Sequence, residues 1–227
     1  MGERRAVIFD LDDTLYRERR FVLSGLREVA QHIERRHGKP AADTWRVMTR
    51  HFRHCGRAAL LQAVCRAQNL PLQEIPGWVA LIRSHTPQLR LPGRSADTLR
   101  RVRADGYRVG ILTNGLPDTQ RAKVEALGLR SLADAIVYAD DHAVGGKPHP
   151  ACFAAVLAAL RVPAPDAVFV GDHPRNDIEG ARAAGLRTIW LSGPHASRTS
   201  GAHIVVSSLG AVPSALRLLK EPHAHAC

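Results

Sequence analysis

The run Ala6-Val7-Ile8-Phe9-Asp10-Leu11-Asp12-Asp13-Thr14 decides how the rest of the chain is read. Four apolar residues without polar alternation predict a strand buried on both faces, the habit of a parallel sheet, and the run stops abruptly on acids. The same short pattern returns at Tyr107 to Thr113, Ala135 to Ala139, Ala167 to Asp172 and Arg187 to Leu191, with Ile204 to Val206 as a sixth. Helical patterns between these runs stop at glycine: Ser95 to Ala104 before Gly106, Gln120 to Leu127 before Gly128, and Ile178 to Ala184 before Gly185. Glycine readily takes the left-handed conformation that closes a helix. The repeated helix–glycine–strand unit predicts an α/β fold, a doubly wound Rossmann-like parallel sheet.

One region breaks this rhythm. From Leu15 to Pro92 there is only helical periodicity, with Val22, Leu26, Val29, Ala30 and Ile33 on one face and Trp45, Met48 and Phe52 on another. Leu61, Val64, Cys65 and Gln68 keep the same spacing, as do Trp78, Leu81, Ile82 and His85, before Pro92-Gly93 signals a turn. The expected organisation is an α/β core over 1–15 and 93–227, with 16–92 inserted after the first strand as an all-helical subdomain whose aromatics form its core.

The 227 residues carry 32 Lys+Arg against 21 Asp+Glu, a formal net charge of +11, and only four of the basic residues are lysines (Lys39, Lys123, Lys147, Lys220). Such a surplus invites a nucleic-acid or membrane-surface reading, but a composition bias toward Arg and Ala is the preferred explanation. Aromatic residues do not interleave with basic ones as they do in single-strand binders. No stretch approaches the roughly 20 apolar residues of a membrane span, and the N-terminal apolar run is too short for a signal peptide. The cysteines (Cys55, Cys65, Cys152, Cys227) form no close pair, so reduced thiols and a cytoplasmic setting are expected. The tail from Glu221 to Cys227 offers two histidines and a cysteine, a weak metal site at most, and reads as a frayed end.

In open parallel sheets, sites form at the carboxyl ends of the strands, and here each of four strand ends carries polar residues. Asp10 and Asp12 lie two apart, so their side chains can point the same way, and a carboxylate pair can divide nucleophilic from acid–base work. Asp172 and Asp177 bring further hard oxygens, which suit Mg²⁺. Thr113, Asn114 and Lys147 offer a hydroxyl, an amide and a cation fit to hold a phosphoryl group. The Gly145-Gly146-Lys147-Pro148 turn is not a P-loop, which needs Gly at 141 and Ser or Thr at 148. Asp13, Asp140, Asp141, His149, His173 and Arg175 read as loop residues, and Arg17, Arg19 and Arg20 as a solvated face.

Taken in order, these residues resemble the haloacid dehalogenase-like superfamily across essentially the whole chain. Its Asp-x-Asp-x-Thr motif is matched by Asp10, Asp12 and Thr14, its strand-end Thr or Ser by Thr113, and its lysine by Lys147. Its Gly-Asp-x-x-x-Asn-Asp motif is matched by Gly171, Asp172, Asn176 and Asp177, and the helical insert resembles an α-helical cap of the first type. The resemblance implies that Asp10 is a nucleophile forming an aspartyl phosphate. It also implies that Asp12 protonates the leaving oxygen and then activates water. Mg²⁺ would be held by Asp10, the Asp12 carbonyl and Asp172, with Asp177 in support.

Dehalogenase members lack the acid at the Asp12 position, because a halide leaves without a proton, so its presence favours phosphoester chemistry. The expected activity is a Mg²⁺-dependent phosphatase, working as monomer or homodimer on a small phosphorylated metabolite such as a nucleotide, a sugar phosphate or phosphoglycolate. Crowding by acids is expected to raise the pKa of Asp12. The alternatives are a phosphomutase of the same superfamily and, from a different class, a basic non-catalytic nucleic-acid-binding protein.

Overall fold

The computed structural model describes residues 5–193 and 201–220, so the Glu221–Cys227 tail and its weak metal reading lie outside the described residues. The chain divides into two compact units, one of Met1–Arg17 with Arg90–Cys227 and the other of Glu18–Leu89.

In the first unit the apolar runs become six strands: β1 (Arg5–Phe9), β2 (Tyr107–Thr113), β3 (Ala135–Tyr138), β4 (Ala167–Gly171), β5 (Arg187–Leu191) and β6 (Ile204–Val206). They form one sheet in the order β3-β2-β1-β4-β5-β6, with every pairing parallel. β1 is central. The chain first builds outward through β2 and β3, then returns to the other side of β1 for β4, and this reversal opens a crevice at the strand ends. Ala6, Val7, Ile8 and Phe9 are fully buried, as covered faces require.

The second unit is helical throughout: α1 (Arg19–His37), α2 (Ala41–Cys55), α3 (Leu60–Gln68) and α4 (Ile75–Ser84). Its own core gathers Leu26, Val29, Ile33, Met48, Val64 and Trp78, with Trp45 and Phe52 packed against it.

The sheet is flanked by α5 (Gly93–Ala104), α6 (Pro117–Ala126), α7 (Pro150–Leu160), the short α8 (Gly180–Ala183) and α9 (Val212–Lys220). Gly106, Gly128 and Gly185 all have positive φ after their helices. Two local features differ from the sequence reading. The segment expected as a helix from Ile178 to Ala184 begins earlier, as a π-helical turn over Pro174–Glu179 that brings Asp177 inward, and only Gly180–Ala183 is α-helical. The Ala-rich α7 shows no polar stripe, yet its Cys152, Phe153, Val156 and Leu160 are buried against Ile8 and Phe169 of the sheet. No helix among the described residues is long and apolar enough to cross a membrane, and Cys55, Cys65 and Cys152 are free thiols.

Candidate active site

Asp10 follows β1, Thr113 ends β2, and Asp172 follows β4, so the switch in strand order places all three at one edge of the sheet. Oxygens of Asp10, Asp172 and Asp177 lie within 4.8 Å of one another. Lys147 reaches between two of them: its Nζ donates to Asp10 Oδ1 at 2.6 Å, Asp177 Oδ1 at 2.8 Å and the Leu112 carbonyl at 3.0 Å. An ammonium has three N–H donors, and all three are used.

Three carboxylates against one ammonium leave an excess of two negative charges when all are ionised. Burial pushes the Asp10 carboxyl up to about 8, opposed by Lys147 and reinforced by Asp177. Burial likewise raises Asp172 to about 6, with Asp177 and Asp13 adding repulsion. Lys147 is driven above its ordinary value by Asp10 and Asp177, which together outweigh the desolvation that opposes them. Clustered carboxylate oxygens short of two positive charges are a donor set that fits a divalent cation. The three aspartates could hold one.

Two glycines make this arrangement possible. A Cβ on Gly171 would lie 2.4 Å from Asp177 Oδ2, so only glycine lets that carboxylate fold against the end of β4. Gly146 has φ +64°, and a Cβ there would lie 2.6 Å from Asn114 Oδ1. Asn114 braces the lysine loop, donating its amide to the Lys147 carbonyl at 3.0 Å and accepting the Lys147 N–H at 2.8 Å. The Thr113 hydroxyl accepts from the Gln120 side-chain amide. The side chains expected to hold a phosphoryl group are therefore assembled at the site, with Asn114 bracing the lysine loop and the Thr113 oxygen accepting from Gln120.

The surroundings of Asp12 correct one expectation. The acidic crowd lies around Asp10, whereas the Asp12 carboxylate meets donors: Lys123 Nζ at 2.9 Å (Oδ1) and 2.8 Å (Oδ2), the Gln120 amide at 2.9 Å and the Tyr16 hydroxyl at 2.6 Å. Gln120 and Lys123 were not singled out from the sequence, because two polar residues three apart on a helix read as a solvated face. The available signal was their register. Positions 120, 123, 124 and 127 share one helical stripe, on which Val124 and Leu127 are apolar and all four are buried.

The remaining loop residues take local roles. His149 and His173 accept from the backbone N–H groups of Ala151 and Asn176 and so cap the turns that follow them. Asp140 accepts from the Gly115 N–H at 2.6 Å, and Asp141 pairs with Arg121. A cleft of about 550 Å³ opens beside Asp172, lined by Asp13, Thr14, Arg17, Arg94 and Ser208 among others.

The family pattern of the haloacid dehalogenase-like hydrolases matches residues 4–185. The chain belongs to that family. Among curated proteins, this hydrolase is 33% identical over 203 residues to a glyceraldehyde 3-phosphate phosphatase from Pyrococcus furiosus, covering 84% of this chain and 82% of that one. Among solved structures, a phosphatase of the family from Thermococcus onnurineus superposes with a TM-score of 0.61 at 23% identity, covering 93% of this chain and 97% of its own. A 2-haloacid dehalogenase from Pseudomonas syringae pv. tomato superposes with a TM-score of 0.62 at 26% identity, covering 95% and 99%.

Proposed function

We propose that this hydrolase is a Mg²⁺-dependent phosphoric monoester hydrolase acting on a small phosphorylated metabolite. The observation that carries the reading is the pair Asp10 and Asp12 at the end of β1: each meets a buried lysine, but Asp10 also lies among Asp172 and Asp177, whereas Asp12 is met by donors. Two carboxylates in different surroundings can divide nucleophilic from acid–base work, and the family's motif gives the first role to Asp10 and the second to Asp12. Asp10 attacks phosphorus and forms an aspartyl phosphate, while Asp12 gives its proton to the leaving oxygen and then takes one from the hydrolytic water. Asp10, Asp172 and Asp177, with the Asp12 backbone carbonyl, would hold the Mg²⁺. When bound, Mg²⁺ supplies the positive charge that keeps Asp10 ionised and offsets its repulsion of the phosphoryl oxygens. Lys147 acts in the same direction as a fixed charge beside Asp10. Thr113 and Asn114 supply the polar floor of the phosphate site. The helical unit takes the part of a cap that selects the substrate.

The substrate panel begins with the three-carbon phosphorylated aldehyde named for the Pyrococcus relative and adds nucleoside monophosphates, sugar phosphates and phosphoglycolate. Phosphate release is expected with Mg²⁺ and not without it, and Asp10→Asn should abolish it while leaving the fold intact. Turnover of Asp10→Asn at the wild-type rate would refute the nucleophile. Interconversion of sugar phosphates without release of free phosphate would instead establish a phosphomutase. Chloride release from 2-haloacids should be absent, because the site carries Asp12.

A further inference from the structure

Lys123 is a buried cation that pairs with Asp12. It sits on α6 one turn beyond Gln120, and the two converge on Asp12 from behind. Their exposure is asymmetric: the Lys123 side chain is 4% exposed and the Asp12 side chain 22%. The lysine is buried, and the Asp12 side chain it holds stays partly exposed. Tyr16 closes a third side, donating its hydroxyl to Asp12 Oδ1 at 2.6 Å. Lys147, by contrast, pairs with Asp10 and Asp177. Each acid of the Asp10–Asp12 pair thus has its own lysine.

We propose that Lys123, with Gln120 and Tyr16, is a positioning residue that keeps Asp12 out of the Asp10–Asp172–Asp177 cluster and fixes its carboxylate for proton transfer; this rests on the phosphatase reading above. Asp12 lies two residues from Asp10, so an unheld carboxylate there is free to swing toward the Lys147 ammonium or a bound cation. Donors on both of its oxygens set its orientation, and charge-assisted hydrogen bonds from a buried ammonium hold it there. The proton balance makes this orientation matter. As the Asp10 oxygen bonds to phosphorus and the ester P–O bond breaks, the leaving oxygen takes a proton from Asp12, which enters this step protonated, with one oxygen facing the leaving oxygen in place of one of its donors and the other still held. When water bonds to phosphorus and the Asp10–phosphorus link breaks, Asp12 takes a proton back. Both transfers need the carboxyl at hydrogen-bonding distance from the moving oxygen.

Leaving-group dependence separates positioning from a merely structural role. An alkoxide departs only with a proton, whereas 4-nitrophenolate departs without one. For Lys123→Met, kcat/KM on an alkyl ester such as glycerol phosphate should fall roughly 10- to 100-fold, with a loss on 4-nitrophenyl phosphate about tenfold smaller. Tyr16→Phe should shift the ratio of the two esters in the same direction by a smaller factor. If Lys123→Met does not melt cooperatively, the Tyr16→Phe ratio decides. Equal losses on both esters, or no loss, would overturn the proposal. Wild-type protein that releases no phosphate from either ester would overturn the phosphatase reading, and the positioning role with it.

Discussion

The contact between Gly171 and Asp177 makes a single methyl group a strong test of the carboxylate cluster. In Gly171→Ala the new Cβ would meet Asp177 at 2.4 Å (Oδ2), 2.5 Å (Cγ) and 2.6 Å (Cβ). Ordinary carbon contacts lie near ~3.5 Å, so the Asp177 side chain must retreat by about 1 Å. It is held by Lys147 Nζ at 2.8 Å and by the His173 N–H at 3.0 Å. Stretching these contacts toward ~4 Å breaks them as hydrogen bonds. Bonds to charged groups contribute about 1.5–3 kcal/mol each, and relief of glycine's chain entropy returns roughly 0.5–1 kcal/mol, so a net loss of about 2–5 kcal/mol is expected.

Because Asp177 also supports the proposed metal, the Mg²⁺ concentration for half-maximal phosphate release should rise about 10- to 100-fold. Thermal melting and a Mg²⁺ titration of phosphate release measure the two effects. A Cβ on Gly77 in α4 would have nothing within 4 Å, and Gly77→Ala is the control, expected to stabilise by about 0.5–1 kcal/mol. A Gly171→Ala protein with unchanged melting and unchanged Mg²⁺ midpoint would refute the reasoning.

Other outcomes follow from the same geometry. The folded protein holds protons on Asp10 up to about 8 and on Asp172 up to about 6, against 3.8 for a free aspartate. It therefore binds more protons than the unfolded chain between these limits, and metal-free stability should fall as pH rises from about 4 to about 8. Melting across that range without metal checks the sign, and Mg²⁺ should flatten the slope. Trp78, 1% exposed at the centre of the helical unit, should cost roughly 3–5 kcal/mol when replaced by alanine, read by denaturant unfolding. With a charge of +11 around an acidic site, kcat/KM for an anionic phosphoester should decline as salt is raised from 20 to 300 mM, by about threefold or more, and a flat response would rule out electrostatic steering.

All six strands were legible because residues covered on both faces must be apolar in unbroken runs, as in Ala6–Phe9 and Val168–Val170. The helices of the insert were legible because each buries one stripe. The α7 helix was not, since Pro-Ala-Cys-Phe-Ala-Ala-Val-Leu-Ala-Ala-Leu carries no polar face to set a period. The site residues that end strands could be placed by counting from the strand. Lys123 and Gln120 could not be placed that way, because their meaning comes from which face of α6 is turned toward Asp12. Nor does spacing alone reveal that Asn114 spends its amide on the lysine loop.

The scarcity of lysine in a chain rich in arginine also makes an experimental handle. Lys123 and Lys147 are 3% exposed, while Lys39 is exposed. An amine-acylating reagent meets an arginine-covered surface that it barely modifies, and the two lysines that answer to Asp12 and Asp10 are shielded until their surroundings open. The rate at which each is acylated, followed by peptide mass, therefore reports the local opening of its own half of the Asp10–Asp12 pair. Two residues give separate clocks for two networks in one unlabelled protein.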